Sequence, residues 1–214
     1  MRPFQILCFG DSNTWGYAPV SAMRYPRDIR WTGVMASQLG SRFNVVEEGQ
    51  NGRTTVWNDP LEGGCKNGLT YLPACLESHH PIDLVILMLG TNDLKARFSL
   101  TALDIALGAE RLVQVIQSSV WGADGRAPAV LLAAPPPVDP KDDAAEMFAG
   151  AREKSAGLAR RYSEVAERCS CRLINVGEII AVDPADGIHY SREAHRLLGL
   201  TMAARVKELF PDRK

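Results

Sequence analysis

Residues 84–89 read L-V-I-L-M-L, six apolar side chains in a row between Asp83 and Gly90. A strand with one wet face would alternate polar and apolar residues. An unbroken apolar run of this length instead suits a strand buried on both faces, as in a parallel sheet covered by helices. Three more runs share the pattern: Gln5–Phe9, Phe43–Val46 and Ala129–Ala134. A fifth, Arg172–Val176, is weaker.

Helical patterns fall between these runs. Trp31–Leu39 places Val34, Met35 and Leu39 on one stripe and stops at Gly40. Thr101-x-x-Asp104 resembles a capping box opening a helix with Leu103, Leu107, Leu112, Val115 and Ile116 on its apolar side. A long polar helix is predicted from about Ala144 to Cys169. The last helix follows Ser191 as N-cap and carries Ala194, Leu197, Leu198, Leu200 and Val206. Such alternation is the signature of a doubly wound α/β sheet. No compositional break divides residues 1–214, so one domain is expected. Three loops are longer than a compact domain needs, Tyr17–Ile29, Asn51–Gly68 and Pro135–Asp143, and loops of that length often build pockets or subunit contacts.

Composition narrows the function. The chain is 46% hydrophobic and 23% charged with a net charge of −1, which gives no reason to expect nucleic-acid or anionic-membrane partners. Basic pairs such as Arg160-Arg161 read as solvated helix faces. No apolar segment is long enough to span a bilayer, and the N-terminal run is too short for a signal sequence. The five cysteines include a lone C-x-C at Cys169 and Cys171, without the second pair or nearby histidine that a zinc site requires. They are expected to be reduced thiols, mostly buried, in a cytoplasmic protein.

Ligands of open α/β sheets bind beyond the carboxyl ends of the strands. The segments there are Gly10-Asp11-Ser12-Asn13-Thr14-Trp15, Glu48–Thr54, Gly90-Thr91-Asn92-Asp93, Pro135–Pro137 and Val182–His189. They gather at one rim a serine, a histidine with nearby aspartates, and several amide donors, the set that serine ester hydrolysis needs. A serine hydroxyl is a weak nucleophile until a base takes its proton. Histidine does so near neutral pH, and a carboxylate on its other nitrogen fixes the tautomer. Read singly, Ser12 suits a turn or cap and Asn92 an Asx turn, while Gly52 and Gly90 suit permissive backbone. His79 and His80 suit a helix C-terminus. His195 suits partly buried packing or a solvated surface. His189 differs by lying in a Gly-containing loop three residues after Asp186.

Together the segments resemble the SGNH hydrolases, the GDSL-type esterases and lipases. The four blocks stand in family order as F-G-D-S-N-T-W-G (Phe9–Gly16), E-G-Q-N-G-R-T-T (Glu48–Thr55), L-G-T-N-D (Leu89–Asp93) and D-G-I-H (Asp186–His189). The resemblance implies a flavodoxin-like α/β/α fold around a five-stranded parallel sheet. It implies Ser12 as nucleophile, His189 as general base and Asp186 as orienting carboxylate. Asp183 is the rival carboxylate, and the three-residue separation favours Asp186. The implied oxyanion donors are the backbone N–H groups of Ser12 and Gly52 and the side-chain amide of Asn92. Gly49 competes with Gly52, which aligns ahead of the R-T-T. Asp11 and Asp93 are expected to tie loops together through backbone N–H groups. Asn13 stands where many members have Leu and is expected to pack or cap rather than react.

I-L-C-F-G-D-S, R-W-T-G-V, Y-L-P-A-C-L and D-I-A-L-G further resemble a bacterial arylesterase subfamily. That likeness implies short acyl esters as substrates, acyl transfer to alcohols or peroxide as well as water, and a homo-oligomer, an octamer in some members. No metal or cofactor is implied. Trp15, Lys95, Phe98 and Ile188 flank the blocks and are expected in the pocket wall. Two other readings share parts of the pattern: a carbohydrate O-acetylesterase or thioesterase, and a non-catalytic flavodoxin-like binding module. The second lacks a Gly-rich phosphate loop and puts Asp11 where a phosphate would want donors.

Overall fold

The structure, a computed structural model, describes residues 2–211. Five strands form one parallel sheet: β1 (Phe4–Gly10), β2 (Phe43–Gly49), β3 (Leu84–Met88), β4 (Ala129–Ala134) and β5 (Arg172–Asn175), in the order β2-β1-β3-β4-β5. Eight helices accompany them: α1 (Ser12–Trp15), α2 (Trp31–Leu39), α3 (Gly68–Ser78), α4 (Ala102–Gln117), α5 (Asp143–Met147), α6 (Ala151–Ala156), α7 (Leu158–Arg168) and α8 (Arg192–Leu209). This is the expected three-layer α/β/α arrangement.

The unbroken apolar runs explain the layers. In β1, Leu7 and Phe9 join a core with α3, α4 and α7, while Ile6 and Cys8 join a second core with α2 and α8. In β3, Val85 and Leu87 face the first core and Leu84 and Ile86 the second. Alternate residues of a strand point to opposite faces, so a sheet covered twice needs apolar residues at every position.

Several predicted elements differ in detail. The single helix expected from Ala144 to Cys169 is three helices: Gly150 takes a left-handed conformation (φ 76°) and turns the chain between α5 and α6, and α6 gives way to α7 at Gly157. Helix α3, not among the predicted elements, starts at an Asn67 cap, carries Pro73 and buries Leu72, Cys75 and Leu76. The capping box at Thr101 and Asp104 forms as expected, but α4 buries Ile105, Ala109, Leu112, Val113 and Ile116. Leu103 and Leu107 are exposed. Two apolar stripes compete on this helix, and the longer 105-109-112-116 series faces the sheet. All five cysteines are free: Cys8 and Cys75 buried, Cys169 and Cys171 half-buried, Cys65 exposed. No described helix is long and apolar enough to cross a membrane.

His195, expected at most partly buried, is fully buried on α8. Its Nδ1 accepts from the Trp31 backbone N–H (3.2 Å), tying α8 to the start of α2, and its ring lies edge-on to Tyr25 and Tyr190. Burial, aided by the charges of His189 and Arg30, pushes its pKa down to about 3. The unfolded chain therefore takes up a proton that the folded chain refuses. Stability from this group is present above the ordinary pKa of 6.5 and lost as pH falls toward 3. The expected loss between pH 7 and pH 4 is on the order of 3 kcal/mol. Asp11 and Asp93 act with the opposite sign. Burial raises both to about 6, so their contribution is present below the ordinary carboxylate pKa and fades as pH rises through 6. Those two are common to the parent and His195→Asn. Denaturant melts at pH 7, 5.5 and 4 should therefore show a flatter acid decline in the variant, whatever its absolute stability.

Candidate active site

In the sheet order β1 lies between β2 and β3, so the chain leaves β1 at the point where the winding reverses. Asp11 follows immediately. Its carboxylate caps α1 by accepting from the Asn13 N–H (2.9 Å), which sets Ser12 as the first residue of a one-turn helix. The Ser12 N–H thus belongs to the first turn, where no preceding helical carbonyl can take it. Gly16 ends the turn in a left-handed conformation.

The histidine loop approaches from 177 residues away. His189 Nε2 lies 2.9 Å from Ser12 Oγ, and His189 Nδ1 lies 2.6 Å from Asp186 Oδ2. With the ring proton on Nδ1 donated to Asp186, Nε2 is free to accept from the serine hydroxyl. The other oxygen of Asp186 accepts from the backbone N–H groups of Ile188 (2.8 Å) and His189 (2.9 Å). Burial alone would raise the Asp186 pKa, but the His189 ring and these two N–H groups outweigh it and hold the carboxyl below its ordinary value. Asp183, the rival, spends its carboxylate on the Ala185 N–H (2.9 Å), and its own N–H donates to the His189 carbonyl (2.7 Å).

Two residues that received no catalytic role in the sequence flank this chain of groups. The Tyr17 ring stacks on the His189 imidazole, with centroids 4.1 Å apart and an interplanar angle of 29°. Asn13 is buried, and its Nδ2 donates to the Ile188 carbonyl (3.3 Å), joining the serine turn to the histidine loop. This gives Asn13 the packing and tying position where Leu is common.

The candidate donors converge through the second and third blocks. Gly49 and Gly52 now separate by geometry. Gly49 ends β2, and a Cβ there would lie 2.1 Å from the Trp15 backbone nitrogen, so its glycine is needed for close approach to α1. Gly52 sits in the loop beyond with φ +80°, a conformation that favours glycine, and its N–H has no acceptor among the described residues. Asn92 donates one amide hydrogen to the Arg53 carbonyl (3.1 Å), which leaves its second for a ligand. Asp93 accepts from the Thr55 N–H (3.1 Å) and hydroxyl, tying block three to block two as expected.

The expected pocket residues fare unequally. Lys95 is only 2% exposed, and its ammonium lies 3.1 Å from Asp59 and 2.9 Å from Glu62, with Arg97 also on Asp59 (3.0 Å). A buried ammonium between two carboxylates is pinned by them, so it braces the 51–68 loop. Trp15 is half-buried under the Arg24 guanidinium, 5.2 Å from its ring centroid. Ile188 is buried in the first core, and Phe98 is half-buried against it.

Among the described residues one cluster has metal-ligand types: Glu48, Cys75 and His79, with ligand atoms within 4.8 Å of one another. His79 Nε2 is 2.7 Å from Glu48 Oε1, and the Tyr71 hydroxyl donates to Glu48 Oε2 (3.2 Å). The Arg53 guanidinium lies over the Tyr71 ring at 5.3 Å, so a fixed positive charge already serves this cluster.

Comparison with known proteins places the chain in a family. Residues 8–197 match the GDSL-like lipase/acylhydrolase family. The chain belongs to that family. The native aryl esterase of M. smegmatis is 44% identical over 97% of this chain and 100% of its own, with a TM-score of 0.92. Est24, a carbohydrate acetylesterase from Sinorhizobium meliloti, is 43% identical over 97% and 100% of the two chains, also at 0.92. Another carbohydrate acetylesterase family member from the same organism is 36% identical over 96% and 98%, again at 0.92. No match was found among curated proteins. This GDSL hydrolase is thus an ester-hydrolysing enzyme.

Proposed function

We propose that this GDSL hydrolase cleaves short acyl esters through a Ser12–His189–Asp186 triad. The observation that carries the reading is the unbroken chain of contacts from Ser12 Oγ to His189 Nε2 (2.9 Å) and from His189 Nδ1 to Asp186 Oδ2 (2.6 Å). Ser12 attacks the ester carbonyl as Nε2 takes its proton. The resulting imidazolium faces Asp186 and is covered by the Tyr17 ring. Charge developing on the carbonyl oxygen is met by the N–H groups of Ser12 and Gly52 and the free amide hydrogen of Asn92, donors that exist before the reaction starts. The alcohol leaves with the proton from His189, and water or another alcohol then releases the acyl group by the reverse steps. A fluorophosphonate probe should label one peptide, the one bearing Ser12, and His189→Ala should abolish labelling. Labelling elsewhere, or none in the parent, counts against the triad.

The acyl side is small in this reading. Trp15 follows the nucleophile by three residues on α1 and is held by Arg24 through both its ring and its carbonyl, which accepts from Arg24 Nε (2.8 Å). Across p-nitrophenyl esters we expect a maximum between acetyl and butyryl, with kcat/KM falling at least tenfold by octanoyl; a maximum at lauryl contradicts it. Carbohydrate acetyl esters fit the same chemistry, and the two Sinorhizobium meliloti relatives favour them as the second reading. Acetylated xylan or glucose pentaacetate, run beside phenyl acetate, separates the two. A homo-oligomer belongs to the same proposal. Val20 (85% exposed), Met23 (68%) and Leu61 (77%) stand out on the two long loops after β1 and β2. Light scattering after size exclusion should give a mass several times that of one chain.

A further inference from the structure

We propose that Arg53 is the positioning residue of the oxyanion hole, holding all three donor segments in register; the inference rests on the triad reading above. Arg53 is 3% exposed, although a charged side chain is rarely buried without partners. Its Nη1 donates to the carbonyls of Gly10 (2.9 Å) and Glu48, at the ends of β1 and β2. Nε donates to the Gln50 side chain (3.3 Å). The guanidinium carbon lies 4.2 Å from the Phe9 ring centroid and 5.3 Å from that of Tyr71. The main chain of the same residue works in parallel. Its N–H donates to the Gln50 carbonyl (3.1 Å), closing the turn that contains Gly52, and its carbonyl accepts from Asn92 Nδ2 (3.1 Å).

Each candidate donor is therefore within two residues of a group bonded to Arg53, or bonded to it directly. Ser12 is two residues past Gly10, Gly52 adjoins Arg53, and Asn92 is its hydrogen-bond partner. The guanidinium fixes where the Arg53 peptide stands, and the peptide carbonyl fixes the plane of the Asn92 amide. That aims the second amide hydrogen. Oxyanion donors act because they are already aimed, so a small rotation of the amide weakens the transition state more than the substrate complex. Lysine would keep the charge but not the planar group whose Nη1 meets two carbonyls and whose Nε meets the Gln50 side chain while its centre lies over two rings.

The test uses the intact chain, phenyl acetate as substrate and phenylboronic acid, whose tetrahedral serine adduct occupies the oxyanion hole. Arg53→Lys and Arg53→Ala should lower kcat about 10–100-fold with KM within threefold, and raise the boronate inhibition constant by a similar factor. Guanidinium chloride at a few millimolar should restore Arg53→Ala several-fold but leave Asn92→Ala unchanged. In a double-mutant cycle, Arg53→Ala should cost clearly less on the Asn92→Ala background than in the parent, because the part of its effect that runs through Asn92 is already lost. Circular dichroism reports folding, and if Arg53→Ala does not fold, Arg53→Lys carries the kinetic and boronate arms. The proposal is overturned by a folded Arg53→Lys with kcat within threefold of the parent, by a kcat loss with unchanged boronate affinity, or by additive losses in the cycle. Ser12→Ala separates this failure from that of the triad. If Ser12→Ala stays active, the triad is wrong; if it is dead while Arg53→Lys is parental, only the role of Arg53 is wrong.

Discussion

Ser12→Ala should reduce phenyl acetate hydrolysis by roughly 10³–10⁶-fold, the largest effect expected of any single change in this chain. The variant removes one oxygen from a buried turn whose other contacts are main-chain. The Asp11 cap, the α1 backbone and the Ser12 N–H all remain. Its melting temperature should therefore stay within a few degrees of the parent. KM for the residual activity should change far less than kcat, because the lost oxygen forms its bond only as the reaction proceeds. Stopped assays with phenyl acetate and a thermal melt on the same preparation check both halves. A variant within tenfold of the parent would remove Ser12 as nucleophile.

Asp186→Asn should cost roughly 10³–10⁴-fold in kcat, while Asp183→Asn should stay within about tenfold. The asymmetry follows from what each carboxylate touches. An asparagine at 186 can still accept from the Ile188 and His189 N–H groups through one oxygen, so the loop stays in place. Its amide cannot accept from Nδ1, and the imidazole then turns its proton toward Ser12, where it cannot act as a base. At 183 the carboxylate meets only the Ala185 N–H, and an asparagine oxygen replaces it there. Steady-state kinetics of the two variants side by side decide between the carboxylates. The reverse ranking would make Asp183 the orienting group.

Much of the fold was legible because burial on both sheet faces leaves a local mark. Runs such as Leu84–Met88 are apolar at every position, and nothing but a doubly covered strand needs that. The helix caps at Thr101 and Ser191 are equally local, since the cap oxygen and the N–H it accepts are three residues apart. The failures share the opposite property. Leu103 and Leu107 form a valid apolar stripe, and only the position of the sheet beneath α4 exposes them. His195 follows polar and charged neighbours on α8, yet its helix face happens to meet α2. Lys95 stands two residues after block three, as a pocket residue would. Its ammonium goes to Asp59 and Glu62, more than thirty residues earlier, and no spacing rule links them.

Sequence alone determined the five strands, the parallel sheet, the four blocks and the rim at which they meet. Each of these follows from local patterning or from the rule that strand ends of a parallel sheet share one edge. Only the tertiary structure decided what each polar atom at that rim bonds to. It set the Asp186 carboxylate on the imidazole and spent Asp183 on a turn. It left the Gly52 N–H without a partner among the described residues and pressed Gly49 against α1. It also folded the guanidinium of Arg53 under the ends of β1 and β2. A hydrogen bond depends on distances of a few tenths of an ångström between residues tens to hundreds of positions apart. Residue type and spacing carry the candidates for such contacts, and the packing of the two cores chooses among them.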